Sequence, residues 1–283
     1  MNLSRKNVRL QEAVSPSTGE HPVLPRFREK DLRLMSGLSM AGEVPQQQLE
    51  CEIRGVPGVD LAGACVPARE LGGDFCDLMP YGSGRLALAL GNVSGTGLAA
   101  ALLGALVVGI LRAHIVDHVA PAPEVLAAIN DRVHAAHLDP RFVVMIFAVL
   151  DPFTRQLTLA NAGNPYPFLM RKGRIEEITV SGIPLGRNES TRYEAASLDL
   201  EPADIVVFAS DGILECQNRE QEAFGASRLG TVLISLPQGA SANDISSAIL
   251  SATDEFSGDP SFPDDDRSLI VLRVTDEPVA HRT

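Results

Sequence analysis

None of the four cysteines, Cys51, Cys65, Cys76 and Cys216, falls in a CxxC pair or a framework spacing. That excludes a disulfide-stapled secreted scaffold, and reduced thiols in a cytoplasmic protein are the expectation. Basic residues are the minority: 24 Lys and Arg against 36 Asp and Glu leave a net charge of −12. A chain built to track a phosphate backbone would show the opposite balance, so no nucleic-acid partner is expected. The opening MNLSRKNVRLQEAV has no apolar stretch of the kind a signal peptide needs. The longest apolar run, Leu98–Leu111, stops after 14 residues at Arg112. That falls short of the roughly 20 required to cross a bilayer, which predicts a buried helix and no membrane span.

What is present is enough apolar material for one substantial core: 45% of 283 residues are hydrophobic. Residues 1–30 are polar, contain Pro16, Pro22 and Pro25 and lack periodicity, so a flexible tail is expected there. Residues 28–50 read as a helix with Leu32, Met35, Leu38 and Met40 partly on one face, which Pro45 should kink or end. This gives a tail at 1–30, a regulatory helix at 31–50, a main domain at 51–276 and a second tail at 277–283.

Within the main domain, strands are predicted at Val59–Val66, Leu86–Val93, Phe142–Leu150, Gln156–Asn161, Pro167–Arg171, Arg174–Thr179, Ile205–Ala209 and Ser268–Val274. Helices are predicted from Gly97 to about Val119, over Glu124–Leu138 behind Pro121 and Pro123, and over Asn243–Phe256. Strands in meanders with helices inserted in blocks lack the βαβ alternation of a Rossmann fold. The pattern predicts an α+β protein of two packed antiparallel sheets flanked by helices, an α-β-β-α sandwich.

The densest stretch of chemistry is Glu70–Gly97, ELGGDFCDLMPYGSGRLALALGNVSGTG. It sets two glycine-flanked turns, Gly72-Gly73-Asp74 and Gly91-Asn92-Val93-Ser94-Gly95, at the ends of a strand pair. Two further acidic turns, Ser210-Asp211-Gly212 and Asp264-Asp265-Asp266, also adjoin strands. Carboxylates gathered where glycine lets backbone approach closely suit a hard divalent cation. Each aspartate alone is equally compatible with an ordinary turn role, bonding its own backbone.

The order of motifs resembles that of the PP2C-like (PPM-type) serine/threonine phosphatases, specifically the bacterial sporulation stage II E and sigma-factor-regulation branch. The carriers are PARELGGDFCD at 67–77, GNVSGTGLAAALL at 91–103, VLDPFTRQLTLANAGNPYPFLM at 149–170, GIPLG at 182–186, FASDGILE at 208–215 and PDDDRSLIVLRV at 263–274. The resemblance implies metal ligation by Asp74, Asp211 and Asp265, help from the Val93 carbonyl, and Asp266 behind them. It implies two ions, manganese or magnesium, that bind the substrate phosphate and activate a bridging water. The implied substrate is a phosphorylated regulatory protein such as an anti-sigma-factor antagonist, with control by homodimerisation or an activating partner through residues 28–50.

Asn92 departs from this pattern, because the position before Val93-Ser94-Gly95 is normally the aspartate that bridges both metals. An amide has one neutral oxygen and two donor hydrogens, so weaker metal binding is expected. Two functions therefore stand: a metal-dependent phosphatase, or a pseudophosphatase that binds a regulatory partner with little or no turnover. A second departure, Asn164-Pro165 where relatives have histidine after the glycine, points to loop shape. Asp77 is a candidate spare acid, and Arg69 and Arg267 are the arginines nearest the acidic turns. GNVSGTG lacks the Lys-Ser/Thr of a phosphate loop, and Cys76 breaks the likeness of Gly72-Gly73-Asp74-Phe75 to a cyclase signature. His114 and His118 have the i,i+4 spacing of a zinc pair without a third ligand, and they and His134 and His137 read as ordinary surface or interface histidines.

Overall fold

The computed structural model describes residues 56–136, 141–258 and 265–275. The segments expected as tails and as the regulatory helix, Asp264, and the end of the predicted 124–138 helix lie outside the described residues. Two five-stranded antiparallel sheets pack face to face. One runs β1 (Val59–Val66), β10 (Arg267–Val274), β9 (Ile205–Ala209), β6 (Phe168–Arg171) and β7 (Arg174–Glu177). The other runs β2 (Phe75–Tyr81), β3 (Arg85–Val93), β4 (Val143–Asp151), β5 (Gln156–Ala162) and β8 (Ala195–Asp199).

Period-two alternation sends each strand's residues to two different cores. Along β3, Leu86, Leu88 and Leu90 face the β1-containing sheet and, beside Ile146 of neighbouring β4, share one core with its Phe208, Ile270 and Leu272. The intervening Ala87, Ala89 and Val93 face outward, against α1 (Leu98–Asp117) and α2 (Ala122–Ala135). On the opposite side Val207, Leu269 and Val271 carry α4 (Gly225–Ser235) and α5 (Ala242–Ser257), through Leu229, Leu233, Ile245 and Ile249. Because both faces of β3 are covered, its sequence is a nearly unbroken apolar run. The architecture is the predicted four-layer sandwich.

α1 extends beyond the apolar run that predicts it, to 20 residues, and is long and apolar enough to cross a membrane by length and composition alone. Here one face packs on the sheet through Leu103, Val107 and Leu111, while Leu98, Leu102, Leu106 and Val116 stay exposed. β2 is foreseen only as the unranged half of a strand pair, and three further elements escape the sequence reading. β8, AASLD, is an edge strand without a β-branched or aromatic residue. α4 holds two glycines, and Gly230 is there for packing, since a Cβ on it would come within 2.8 Å of Ile175 on β7. The third is a single turn, α3 (Asp211–Leu214), directly after β9.

Candidate active site

β2 and β3 pair antiparallel from Phe75 opposite Gly91, which sets the turn before β2 beside the end of β3. Glycine is required at this junction. A Cβ on Gly91 would lie 2.5 Å from both the Phe75 ring and the Val144 carbonyl. On Gly73 it would lie 2.8 Å from the Val93 carbonyl oxygen and 3.3 Å from Asn92 Oδ1. The Val93 amide donates to the Gly73 carbonyl at 3.2 Å, closing the contact. Asp74, Asn92 and Val93 therefore meet at one end of the sandwich.

The other two aspartates reach the same place from β9 and β10. The Ser210 amide donates to the Ser268 carbonyl (2.8 Å) and the Ser268 amide to Ser210 Oγ (2.9 Å), extending the ladder past Ala209. Beyond it, a Cβ on Gly212 would sit 3.4 Å from the Asp265 Cβ, so Asp211 and Asp265 stand on neighbouring turns. Each commits one carboxylate oxygen to the next residue's amide: Gly212 N–H to Asp211 Oδ1 at 3.0 Å, Asp266 N–H to Asp265 Oδ1 at 2.8 Å. The ordinary turn role and convergence at a site thus hold together in both residues.

Asp266 fastens the two halves. Its carboxylate accepts from the amides of Ala68 (2.8 Å), Gly73 (2.6 Å) and Asp74 (3.3 Å), joining the loop before β2 to the start of β10. A Cβ on Gly72 would approach Asp266 Oδ2 to 2.3 Å, so this turn closes only on glycine.

Asp74 is the exception in this ring. It is 7% exposed, and neither carboxylate oxygen has a hydrogen-bond partner. Burial pushes its pKa well up, Asp266 adds to the rise, and Asp211 and Asp265 add smaller contributions. Ser268 lies near enough to oppose the shift, yet neither its hydroxyl nor the carboxylate completes a well-formed hydrogen bond. Asp265 stands at the surface, but partial burial of its carboxyl raises its pKa too. The Asp266 amide opposes that rise, and Asp211, Asp266 and Glu215 reinforce it.

An unpaired buried carboxylate among three others is costly unless it is protonated or a cation neutralises it. The oxygen-only donors, namely Asp74, Asp211, Asp265, the Asn92 amide oxygen and the Val93 carbonyl, suit a hard divalent cation. Among the described residues, however, no group of three or more His, Cys, Asp or Glu side chains forms a ready-made ligand cluster.

Several candidates have other duties. Asp77, 2% exposed, is gripped by Arg112 of α1 through Nε (2.6 Å) and Nη2 (2.9 Å), so it is no spare acid. Arg267 is buried and bonded to Asp254 and Thr253 of α5, pointing away from a phosphate role. The Asn161 side chain holds the Asn164 backbone, its Nδ2 donating to the carbonyl and its Oδ1 accepting from the amide, both at 2.8 Å, which fixes the turn after β5, in keeping with a role in loop shape. His114 and His118 stack at 5.1 Å, and His134 Nδ1 meets the Gly186 carbonyl at 3.0 Å.

Arg141 was missed by motif reading. Its guanidinium Nε lies 3.6 Å from where a Gly95 Cβ would be, it is exposed, and it forms no ion pair among the described residues. The signal was in the register: Val93 pairs with Val143, Ser94 exchanges bonds with Phe142, and Gly95 therefore faces Arg141.

The chain is similar to known proteins. The model of stage II sporulation protein E (SpoIIE) matches residues 82–275. The phosphoserine phosphatase RsbU of Bacillus subtilis is 24% identical over 201 residues, covering 70% of this chain. The matched part spans 58% of RsbU's own length. The structure of the RsbU and RsbW domains of Rv1364c from Mycobacterium tuberculosis superposes with a TM-score of 0.66 at 26% identity, over 78% of this chain and 61% of that one. The SiaA-PP2C domain of Pseudomonas aeruginosa gives a TM-score of 0.73 at 17% identity, over 86% and 98% of the two chains, which shows a common PP2C fold.

Proposed function

The chain belongs to the stage II sporulation protein E family, and from that premise we propose that it is a metal-dependent protein phosphoserine/phosphothreonine phosphatase. The observation that carries the reading is Asp74, buried without a partner for either oxygen and facing Asp211 and Asp265. A bound manganese or magnesium ion would supply positive charge to the substrate phosphate and an activated water for attack on phosphorus. Asp211 and Asp265 would hold that ion with the oxygens their own turns leave free. Asn92 Oδ1 and the Val93 carbonyl would offer it neutral oxygens, and Asp74 would supply further negative charge. Asp266 positions the Asp74 turn through its three amide bonds. Arg141, a guanidinium beside the same loop with no ion-pair partner among the described residues, is placed to meet a phosphate oxygen.

The substrate class follows the family: a phosphorylated regulatory protein, such as an anti-sigma-factor antagonist, in the cytoplasm. The catalytic unit is taken as 51–276, with residues 28–50 as the segment through which a partner or second copy would act.

Asn92 supports a second reading, a domain that binds a phosphoprotein or regulator without hydrolysing it. Manganese-dependent phosphate release from a phosphoserine protein separates the two. The phosphatase reading expects turnover that Asp211→Asn abolishes and Asn92→Asp raises. A parent chain silent at millimolar manganese beside an active Asn92→Asp variant would establish the binding module instead.

A further inference from the structure

We infer that this site takes one divalent cation per chain, on the Asp211–Asp265 side, and not the pair that the family resemblance implies. The inference rests on the phosphatase-site reading above and concerns only how many ions the site holds.

Two adjacent dications repel strongly, and a paired site relies on a carboxylate that gives one oxygen to each ion. The residue at that position here is Asn92. Its place in the site is settled by Gly73, whose Cβ would meet both Asn92 Oδ1 and the Val93 carbonyl. The amide thus brings one neutral oxygen to the junction, and its other terminus carries hydrogens that repel a cation. It cannot bridge.

Among the described residues, neither acid beside this turn replaces the lost carboxylate. Asp77 is held by both Arg112 contacts, and Asp266 is engaged by three backbone amides. On the β2–β3 side this leaves Asp74 alone, buried, with a backbone carbonyl and an amide oxygen. The β9–β10 side differs. Asp211 and Asp265 sit on adjoining turns, solvent reaches both, and each has one oxygen uncommitted to backbone. Two carboxylates match the charge of one dication, and water can complete its shell.

The test is direct binding of manganese to the full chain, by titration calorimetry and by loss of the free-ion electron paramagnetic resonance signal. One equivalent is expected for the parent and two for Asn92→Asp, with loss of binding in Asp211→Asn. Thermal unfolding with and without manganese checks that each variant is folded. Two equivalents in the parent, or one in a folded Asn92→Asp variant, would overturn the one-ion inference while leaving the phosphatase reading intact. No binding to the parent at millimolar manganese would overturn both.

Discussion

The β9–β10 side of the site and its β2–β3 side carry the same kind of residue in opposite settings. Asp211 and Asp265 lie where water reaches them, each steadied by the amide of the following residue. Asp74 is buried, and neither oxygen of its carboxylate is bonded. A carboxylate in the first setting is open to solvent and can exchange a water for an ion. In the second it stores electrostatic strain that only a proton or a cation relieves. The difference suggests a division of labour: the outer pair captures the ion, and the inner acid sets the field behind it.

The sharpest way to break that division is to neutralise one acid on each side. Asp211→Asn should abolish manganese-dependent turnover, exceeding the roughly 10–100-fold loss typical of residues that merely support a ligand. Asp74→Asn should fall nearer that range, because the ion's capture site survives. Steady-state rates against manganese concentration measure both. Equal losses with equal shifts in manganese dependence would show that the two sides act as one ligand set.

Next in size is the clasp that joins the sides. Asp266→Ala removes three charge-assisted bonds to the amides of Ala68, Gly73 and Asp74 and leaves those donors in a largely buried turn. A loss of at least about 3 kcal/mol in unfolding free energy is expected, read from urea denaturation. A loss below about 1 kcal/mol would mean the turn holds its shape without Asp266.

The same contrast governs what could be read from sequence. The sandwich was legible because β3, β4 and β10 are nearly continuous apolar runs, and the motifs locate the acidic turns at strand ends. β1 and β9 fall on their predicted residues, Val59–Val66 and Ile205–Ala209. β8 and α4 were not legible because tertiary cover, not propensity, makes them. For the site, residue type was visible and state was not. No pattern in GGDFCD says that Asp74 is orphaned while Asp77 is clamped by an arginine 35 residues away. That requires the register of β2 on β3 and the packing of α1 across it. Arg141 shows the converse, since pairing Val143 with Val93 was enough to find it.

The smallest expected effect is also the most diagnostic of the inner side. Burial and the neighbouring acids hold the Asp74 pKa above its unfolded value of about 3.9. A group shifted this way contributes its stability fully below the unfolded pKa and loses it as pH rises through the folded one. Chelator-treated protein should therefore lose stability from about pH 4 upward as Asp74 is forced to ionise. Asp74→Asn has no charge to bury, so its melting temperature should exceed the parent's at pH 8, by the equivalent of about 1–3 kcal/mol, and by less at pH 5. Asp265 is shifted in the same direction and remains in the variant, so part of the slope should persist. Manganese should narrow the gap at pH 8, because a cation favours the ionised carboxylate that the asparagine lacks. If Asp74→Asn instead melts lower than the parent at both pH values, Asp74 is held by bonds of its own. The inner side would then be an ordinary structural turn, and the contrast with Asp211 and Asp265 would fail.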